Sequence, residues 1–317
     1  MPANNCKILN IADALGCGCK QFTPITYGHC SAPKYRLLDQ FGEQYFVRLD
    51  YPQSRFLLCE KLYSQGALIQ EPLAYFGDMG SAAVFRWVEG NTVQSELREK
   101  DLKIHQHIEM GMLAAQCLKS IHNCPVETKY LQTDIKDEVD QNLSLINNNS
   151  IIFSHKEELC HYIKHNICRR KKVTNIHMDF HAQNMIVLPG LSSVKAIDCE
   201  NLTISDPWRD FSYSILFHEP YEHLFWYSMI LCYFNMKIPC DFWEHCVYYC
   251  SLQFIRMLIH EYKRAPGEAQ IMADKVANSL YRRLCENNNG RPSWIQKYEV
   301  NQAKIIETMK LIGNFEG

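Results

Sequence analysis

Apolar and polar positions along the chain fall into two regimes. From Phe22 to Trp87 the apolar stretches are short, alternate with polar residues and are cut by turn formers, which is the period of half-buried β-strands. Pro24–Tyr27, Lys34–Leu38, Tyr45–Leu49, Pro72–Tyr75 and Ala82–Trp87 read as strands, separated by turns at Gly28–Pro33, Asp39–Gln44 and Gly77–Gly80. One helix is expected inside this region, over Gln53–Gln65 after Pro52. Beyond Gly90 the period changes. Leu102, Ile108, Met112, Leu113 and Leu118 recur at helical spacing across Glu99–His122. Further helices are expected over Lys156–Lys172, Asp210–Phe217, Tyr221–Met236, Asp241–Lys263 and Ala269–Cys285, with a leading helix in residues 1–20 and a tail helix after Asn287–Gly290. Leu131–Ser154 is polar, with a loop signal at Asn147–Ser150. One stretch breaks the helical half: Met185–Leu188 and Val194–Ile197 flank Pro189-Gly190 and two serines, the signature of a hairpin.

The candidate chemistry gathers at one end of that hairpin. Asp179 and Asn184 lie on the loop entering its first strand, Asp198 lies where its second strand ends, and His177 is just upstream. Carboxylate and carboxamide oxygens suit a hard cation such as Mg²⁺, which is held by few protein ligands plus substrate phosphates. Phosphoryl transfer needs such a set: one carboxylate to orient the acceptor hydroxyl, and an Asn and a second Asp for the metal. Asp and Asn are also ordinary turn residues, but that does not account for all three at these intervals around a strand pair. His181 completes an H-x-D-x-H pattern; histidine favours zinc or iron over magnesium, so it is not read as a ligand here.

The segment H-M-D-F-H-A-Q-N-M-I-V (residues 177–187), followed by A-I-D-C-E (196–200), resembles the aminoglycoside phosphotransferase/choline kinase family. That family's loop has the form H-G-D-x-x-x-x-N, with I-D-x-x a short hairpin later. Ser205–Phe211 resembles its G-D-P-x-x-D segment, Tyr45–Leu49 its third strand, Phe85–Gly90 its inter-lobe hinge, and Arg291–Trp294 tails of a subgroup from low-GC Gram-positive bacteria. The resemblance runs over residues 20 to 297, nearly the whole chain. It implies an α+β, bilobal protein-kinase-like fold: a small antiparallel-sheet nucleotide-binding lobe over residues 1–89, and a large helical lobe over 90–317 with the catalytic loop and acceptor site. It also implies a small-molecule kinase using ATP (or GTP) and Mg²⁺.

Under the resemblance Asp179 is the catalytic residue, and Asn184 and Asp198 hold the metal. Arg48 stands where many kinases have a phosphate-contacting lysine, with Glu60 as its partner. Gly28 and Ser31 belong to a nucleotide-covering loop. Phe85, Arg86, Trp87 and Val88 form the hinge, where backbone groups recognise the base. His177 and Asp210 support the catalytic loop, while Glu200 and Glu261 face the acceptor. Met178 and Ser205 depart from the pattern by standing where the family has glycine, and a methionine at 178 is strained if that turn needs positive φ.

The short interval from Asp198 to Asp206-Pro207 leaves no room for a long activation segment, which favours a small-molecule acceptor over a protein. Glu219, Glu222, Asp241, Trp243, Glu244 and Glu261 would suit a cationic aminosugar, a choline-like compound or an amino acid; solvated helix faces explain the same residues. A housekeeping sugar, amino-alcohol or amino-acid kinase is the alternative within the class. A pseudokinase, to which Arg48, Met178 and the glycine-poor loop point, is the alternative outside it.

A net charge of −2 gives no reason to expect nucleic acid as partner. The longest charge-free apolar run, Leu224–Met236, is too short to span a bilayer, so no membrane association is expected. Fifteen cysteines, an odd number, together with the start MPANNCKILN, which lacks a secretory pattern, read as reduced thiols of a cytoplasmic monomer. Among Cys160, His161, His165 and Cys168 the i, i+4 histidines share a helix face, but the expectation is a partly buried helix and not a metal site. The basic quartet Arg169–Lys172 reads as cations at a helix C-terminus.

Overall fold

Helix α1 (Ala3–Ala14) and strands β1 (Cys19–Ile25), β2 (Lys34–Asp39), β3 (Gln44–Arg48), β4 (Pro72–Phe76) and β5 (Ala82–Arg86), with α2 (Gln53–Ser64) between β3 and β4, make up the N-terminal part of the computed structural model. The structure describes residues 3–26, 32–126, 134–168, 172–264, 266–285 and 290–313. The strands form an antiparallel sheet in the order β1-β2-β3-β5-β4. Lys34 pairs with Arg48 and Arg36 with Phe46, so the two-residue period puts these four side chains on one face. Tyr35, Leu37, Val47 and Leu49 take the other face and pack with Ile8 and Ile11 of α1 in a small core of their own. The leading helix thus covers the outer face of the sheet and leaves Lys34, Arg36, Phe46 and Arg48 facing the helical part.

The remaining elements are β6 (Asn91–Thr92), α3 (Val93–Glu99), α4 (Ile104–His122), α5 (Ile135–Asn148), α6 (Lys156–His165), β7 (Thr174–Ile176), β8 (Met185–Val187), β9 (Val194–Ala196), β10 (Thr203–Ser205), α7 (Phe211–Leu216), α8 (His223–Tyr233), α9 (Phe242–Arg264), α10 (Pro266–Cys285), α11 (Gln296–Glu299) and α12 (Gln302–Gly313). The chain crosses from sheet to helices at Gly90, whose φ is +139° and where a Cβ would sit 2.1 Å from the Val187 carbonyl oxygen. Only glycine lets the crossing lie this close to β8. A second clip ties the halves together: Ala196 N–H donates to Leu68 O (2.9 Å) and Gln70 N–H to Ala196 O (2.8 Å). The β8–β9 hairpin is therefore fixed to the N-terminal part as well as to the helices. α4 and α8 pack almost backbone to backbone, since a Cβ on Gly111 would lie 2.6 Å from Phe225 O.

Three expectations about elements are corrected. The helix read through Glu99–His122 begins only at Ile104, because Lys100 and Lys103 are extended (ψ 139° and 154°); Glu99 closes the separate helix α3. The polar stretch Leu131–Ser154 contains α5, which is N-capped by Asp134 and buries Ile135, Glu138, Val139 and Ile146 on one stripe. Its polar majority hides that stripe from a reading by composition. The helix read over Lys156–Lys172 ends at His165, and Arg169–Lys171 of the basic quartet lie outside the described residues.

Among the described residues the cysteines are free thiols, no helix is long and apolar enough to cross a membrane, and no group of three or more His, Cys, Asp or Glu is placed to hold a metal. His161 and His165 stack on each other, with centroids 4.0 Å apart.

A histidine pair makes the fold sensitive to acid. The His223 ring stacks on Trp294 at 4.5 Å, and the His218 ring lies 4.7 Å from that of His223. Burial above all pushes both rings down to about 4 from the ordinary 6.5. The unfolded chain takes up protons on them below pH 6.5, the folded chain only near pH 4. This stability is therefore fully present above the upper value and is lost as pH falls through the window. The expected loss is roughly 1–2 kcal/mol per ring between pH 7 and pH 5, measured by urea denaturation. His223→Phe retains the stack and should remove about half of that slope; an equal slope in the variant would refute this origin.

Candidate active site

Strand β7 runs into the turn His177–Asp179, and the shape of that turn is set from below by one carboxylate. Asp210 ends the turn Pro207–Asp210, which is capped by Asp206 accepting from Trp208 N–H at 2.9 Å. The Asp210 side chain is fully buried and accepts from His177 N–H (2.8 Å), Met178 N–H (2.6 Å) and His122 Nε2 (2.9 Å). Since Nε2 of His122 donates, its Nδ1 is left to accept from Tyr233 OH at 2.8 Å. Met178 has φ +68°, the left-handed region that costs a side chain roughly 1–2 kcal/mol. Two adjacent amides aimed at one buried carboxylate hold it there. Ser205, the other departure from glycine, needs no such conformation: it pairs with Thr174 in the two-stranded β10–β7 ladder.

His177 Nε2 bonds to Ile197 O (3.0 Å), and Ile197 N–H donates to Asn184 O (2.9 Å). These two bonds bring the loop residues Asp179 and Asn184 beside Asp198. The Asp179 carboxylate is one-quarter exposed. Its Oδ2 accepts from Asn184 Nδ2 at 2.9 Å, and its Oδ1 lies 3.5 Å from His181 Nε2. Gln183 N–H donates to His181 Nδ1 (3.3 Å), which places the ring proton on Nε2, facing Asp179. Burial works to raise the Asp179 carboxyl, but the hydrogen bond from His181, with His177 and Asn184, holds it below the usual carboxylate range.

Asp198 ends the hairpin with φ +57°, a conformation aspartate tolerates. Its Oδ1 accepts from Arg48 Nη1 at 2.8 Å, and its Oδ2 lies 3.5 Å from Lys34 Nζ. The other arm of the buried Arg48 fork bonds Glu200. Burial first, and then the charge of Asp198, raise the Glu200 carboxyl, with Arg48 and Lys34 opposing. The pairing of Arg48 with Glu60 is thus replaced: Glu60 is exposed, while its neighbours Phe56, Leu58, Cys59 and Leu62 on α2 are buried.

The hinge also differs from the expectation. Phe85 is a core residue, packed on Tyr51 (5.5 Å) and Phe56 (5.6 Å). Arg86 N–H is committed to Glu71 O and Trp87 N–H to Gln44 O, both at 2.9 Å. Arg86, Trp87 and Val88, with Leu188 and Pro189, line a pocket where the hinge meets the hairpin. Gly28 and Ser31 lie outside the described residues. The acidic and aromatic wall is largely spoken for: Trp243 is core, Glu222 is buried and bonded by Trp226 Nε1 (3.0 Å), and Glu261 bonds Arg264 Nε (2.9 Å).

Two cations near the site escape the sequence reading. Lys34 is found only through its cross-strand register with Arg48. Arg256 on α9 has Nη1 4.0 Å from Met178 Sδ; a charge inside the apolar run Phe254–Ile259 is a signal that was there to be read.

The donor set fits a hard divalent ion. The Asn184 amide nitrogen is turned to Asp179, which leaves its carbonyl oxygen for another partner, and the Asp198 carboxylate is 23% exposed. Two protein oxygens are what an ion shared with nucleotide phosphates requires.

Fold and site together define a bilobal protein-kinase-like structure, with an antiparallel sheet lobe, a helical lobe and carboxylates at the end of a hairpin between them. Solved structures share this fold. A choline/ethanolamine kinase family protein from Mesorhizobium loti aligns with a TM-score of 0.63 and 11% identity, over 98% of this chain and 95% of that one. The GDP complex of aminoglycoside 2'-phosphotransferase-IIIa aligns at 0.64 and 15%, over 88% and 96%. Amicoumacin kinase in complex with AMP-PNP and Ca²⁺ aligns at 0.60 and 13%, over 93% and 99%. No protein-family model matches the sequence, and a search of curated protein sequences found no match.

Proposed function

We propose that the chain is a cytoplasmic small-molecule kinase that moves the γ-phosphoryl group of ATP or GTP to a hydroxyl of a small polar acceptor. The observation that carries this reading is the meeting of Asp179, Asn184 and Asp198 at one hairpin end, beside the cations of Lys34 and Arg48. The names of the similar structures, kinases and phosphotransferases with bound nucleotide among them, support it.

Asp179 orients the acceptor hydroxyl and takes its proton as the new P–O bond forms and the bond from the γ-phosphorus to the β–γ bridging oxygen breaks, releasing the nucleoside diphosphate. Asn184 and Asp198 would hold Mg²⁺, which when bound neutralises the phosphate oxygens. Arg48, buried and forked between Asp198 and Glu200, sets the direction of Asp198. Lys34 is attached to the same carboxylate by one longer contact, so its flexible amine is the cation free to turn to phosphate.

The reading is tested by acceptor-dependent ADP release with Mg·ATP across aminoglycosides, amino alcohols, sugars and hydroxy acids. Tolerance of an expressing strain to aminoglycosides separates an antibiotic-modifying role from a housekeeping one. A second reading, a nucleotide-binding module without turnover, is favoured by the clasp of two cations on Asp198; nucleotide binding without ADP release from any acceptor would select it.

Lys34→Met is expected to weaken binding of a fluorescent ATP analogue about tenfold, as loss of one charge-assisted phosphate contact, with little change in thermal midpoint. Arg48→Met should lower both, because it strips a buried fork from two carboxylates. Unaltered affinity in Lys34→Met would remove that lysine from the phosphate site.

A further inference from the structure

α9 passes the catalytic turn with one cation in an otherwise apolar stretch, Arg256. Its Nη1 lies against the thioether of Met178, a weak acceptor, one residue before Asp179. Its side chain is 32% exposed, and its carboxylate neighbour is Glu138 of α5, 3.6 Å from Nε. That same Glu138 is engaged by both arms of Arg209, Nη1 at 2.8 Å and Nη2 on Oε1. The shorter, two-pronged contact belongs to Arg209, and the longer one falls to Arg256. Burial, and then the charge of Arg209, draw the Arg256 guanidinium down to about 10, which leaves it charged at neutral pH.

Tyr213 stacks on His181 at 4.6 Å, and burial first, then the charges of Asp179 and Glu261, raise its phenol. Glu261 is already satisfied by Arg264 and by His260 at 3.3 Å. The carboxylate that would have received a cationic acceptor is thus neutralised, whereas the guanidinium beside the catalytic turn retains donor capacity toward solvent.

We propose that Arg256 forms an oxyanion subsite of the acceptor pocket, so that the acceptor carries a carboxylate or phosphate held by this guanidinium while its hydroxyl is presented to Asp179. The inference rests on the kinase reading above and narrows its substrate class. A planar fork matches two oxygens of either anion.

The test is ADP release by the full chain with Mg·ATP and four probes: glycerol, choline, D-glycerate and glycerol 3-phosphate. The wild-type kcat/KM should be at least about tenfold higher for one or both anionic probes than for glycerol, and Arg256→Gln should erase that ratio, mainly through KM. Arg256→Lys should keep part of it. D-Glycerate and glycerol 3-phosphate report separately on carboxylate and phosphate. A wild-type preference for choline, or an equal loss on all probes in Arg256→Gln, would overturn the subsite and leave the kinase reading standing. Failure of every probe to release ADP would overturn the subsite, and the kinase reading is then decided by the wider acceptor panel above.

Discussion

Replacing Asp179 by asparagine is expected to lower acceptor-dependent phosphoryl transfer by about a thousandfold, the scale of a lost general base and orienting group. Asparagine keeps the shape and one oxygen able to accept from Asn184 Nδ2, so the hydrogen bond that ties the two ends of the loop survives. It cannot take a proton from the acceptor. The carboxylate's negative charge is sustained by His181, His177 and Asn184 against the effect of burial, so it is available throughout the neutral range. The cost to stability should be small, about 1 kcal/mol, because the side chain is partly exposed and the interaction with His181 is long. Single-turnover assays beside urea denaturation measure the two effects. A variant retaining a tenth of wild-type transfer would take Asp179 out of the chemistry.

What could be read along the chain was what local chemistry determines. The hairpin around Pro189-Gly190 is set by two apolar runs and a turn, and the spacing of Asp179, Asn184 and Asp198 around it needs no distant partner. The alternation of Lys34–Leu38 and Tyr45–Leu49 likewise announces strands. What could not be read depends on contacts far apart in sequence. Arg48 had a plausible partner twelve residues on, in Glu60, yet pairs with Asp198 and Glu200, 150 and 152 residues away. The choice is made by which face of α2 is apolar and by the clip between Ala196 and Leu68–Gln70. The role of Lys34 depends on strand register, which the geometry of the Asp39–Gln44 turn controls and its sequence does not state. Phe85 looked like a hinge residue because β5 leads into the hinge, but its parity along the strand sends the ring into the core. The conformation of Met178 is fixed from Asp210, 32 residues downstream, so no local rule announces it.

Removing that carboxylate is the other large change. Asp210→Ala is expected to destabilise the chain by about 3–5 kcal/mol, the range for breaking a buried charged network from one side. Three donors, the amides of His177 and Met178 and Nε2 of His122, would be left buried without an acceptor. His122 would also lose the bond that fixes its tautomer toward Tyr233. The effect should reach activity too, because no other contact of comparable strength among the described residues holds Met178 at positive φ; once released, the turn relaxes and carries Asp179 away from Asp198. Met178→Gly separates these contributions. With Asp210 present, glycine relieves the left-handed strain, worth roughly 1 kcal/mol. With Asp210 absent the turn has already relaxed, and the same substitution should gain little. The two changes are therefore expected to be non-additive by an amount close to the strain itself, read from a double-mutant cycle in urea. Additive behaviour, or an Asp210→Ala chain within 1 kcal/mol of wild type, would show that the turn is held by something other than this carboxylate.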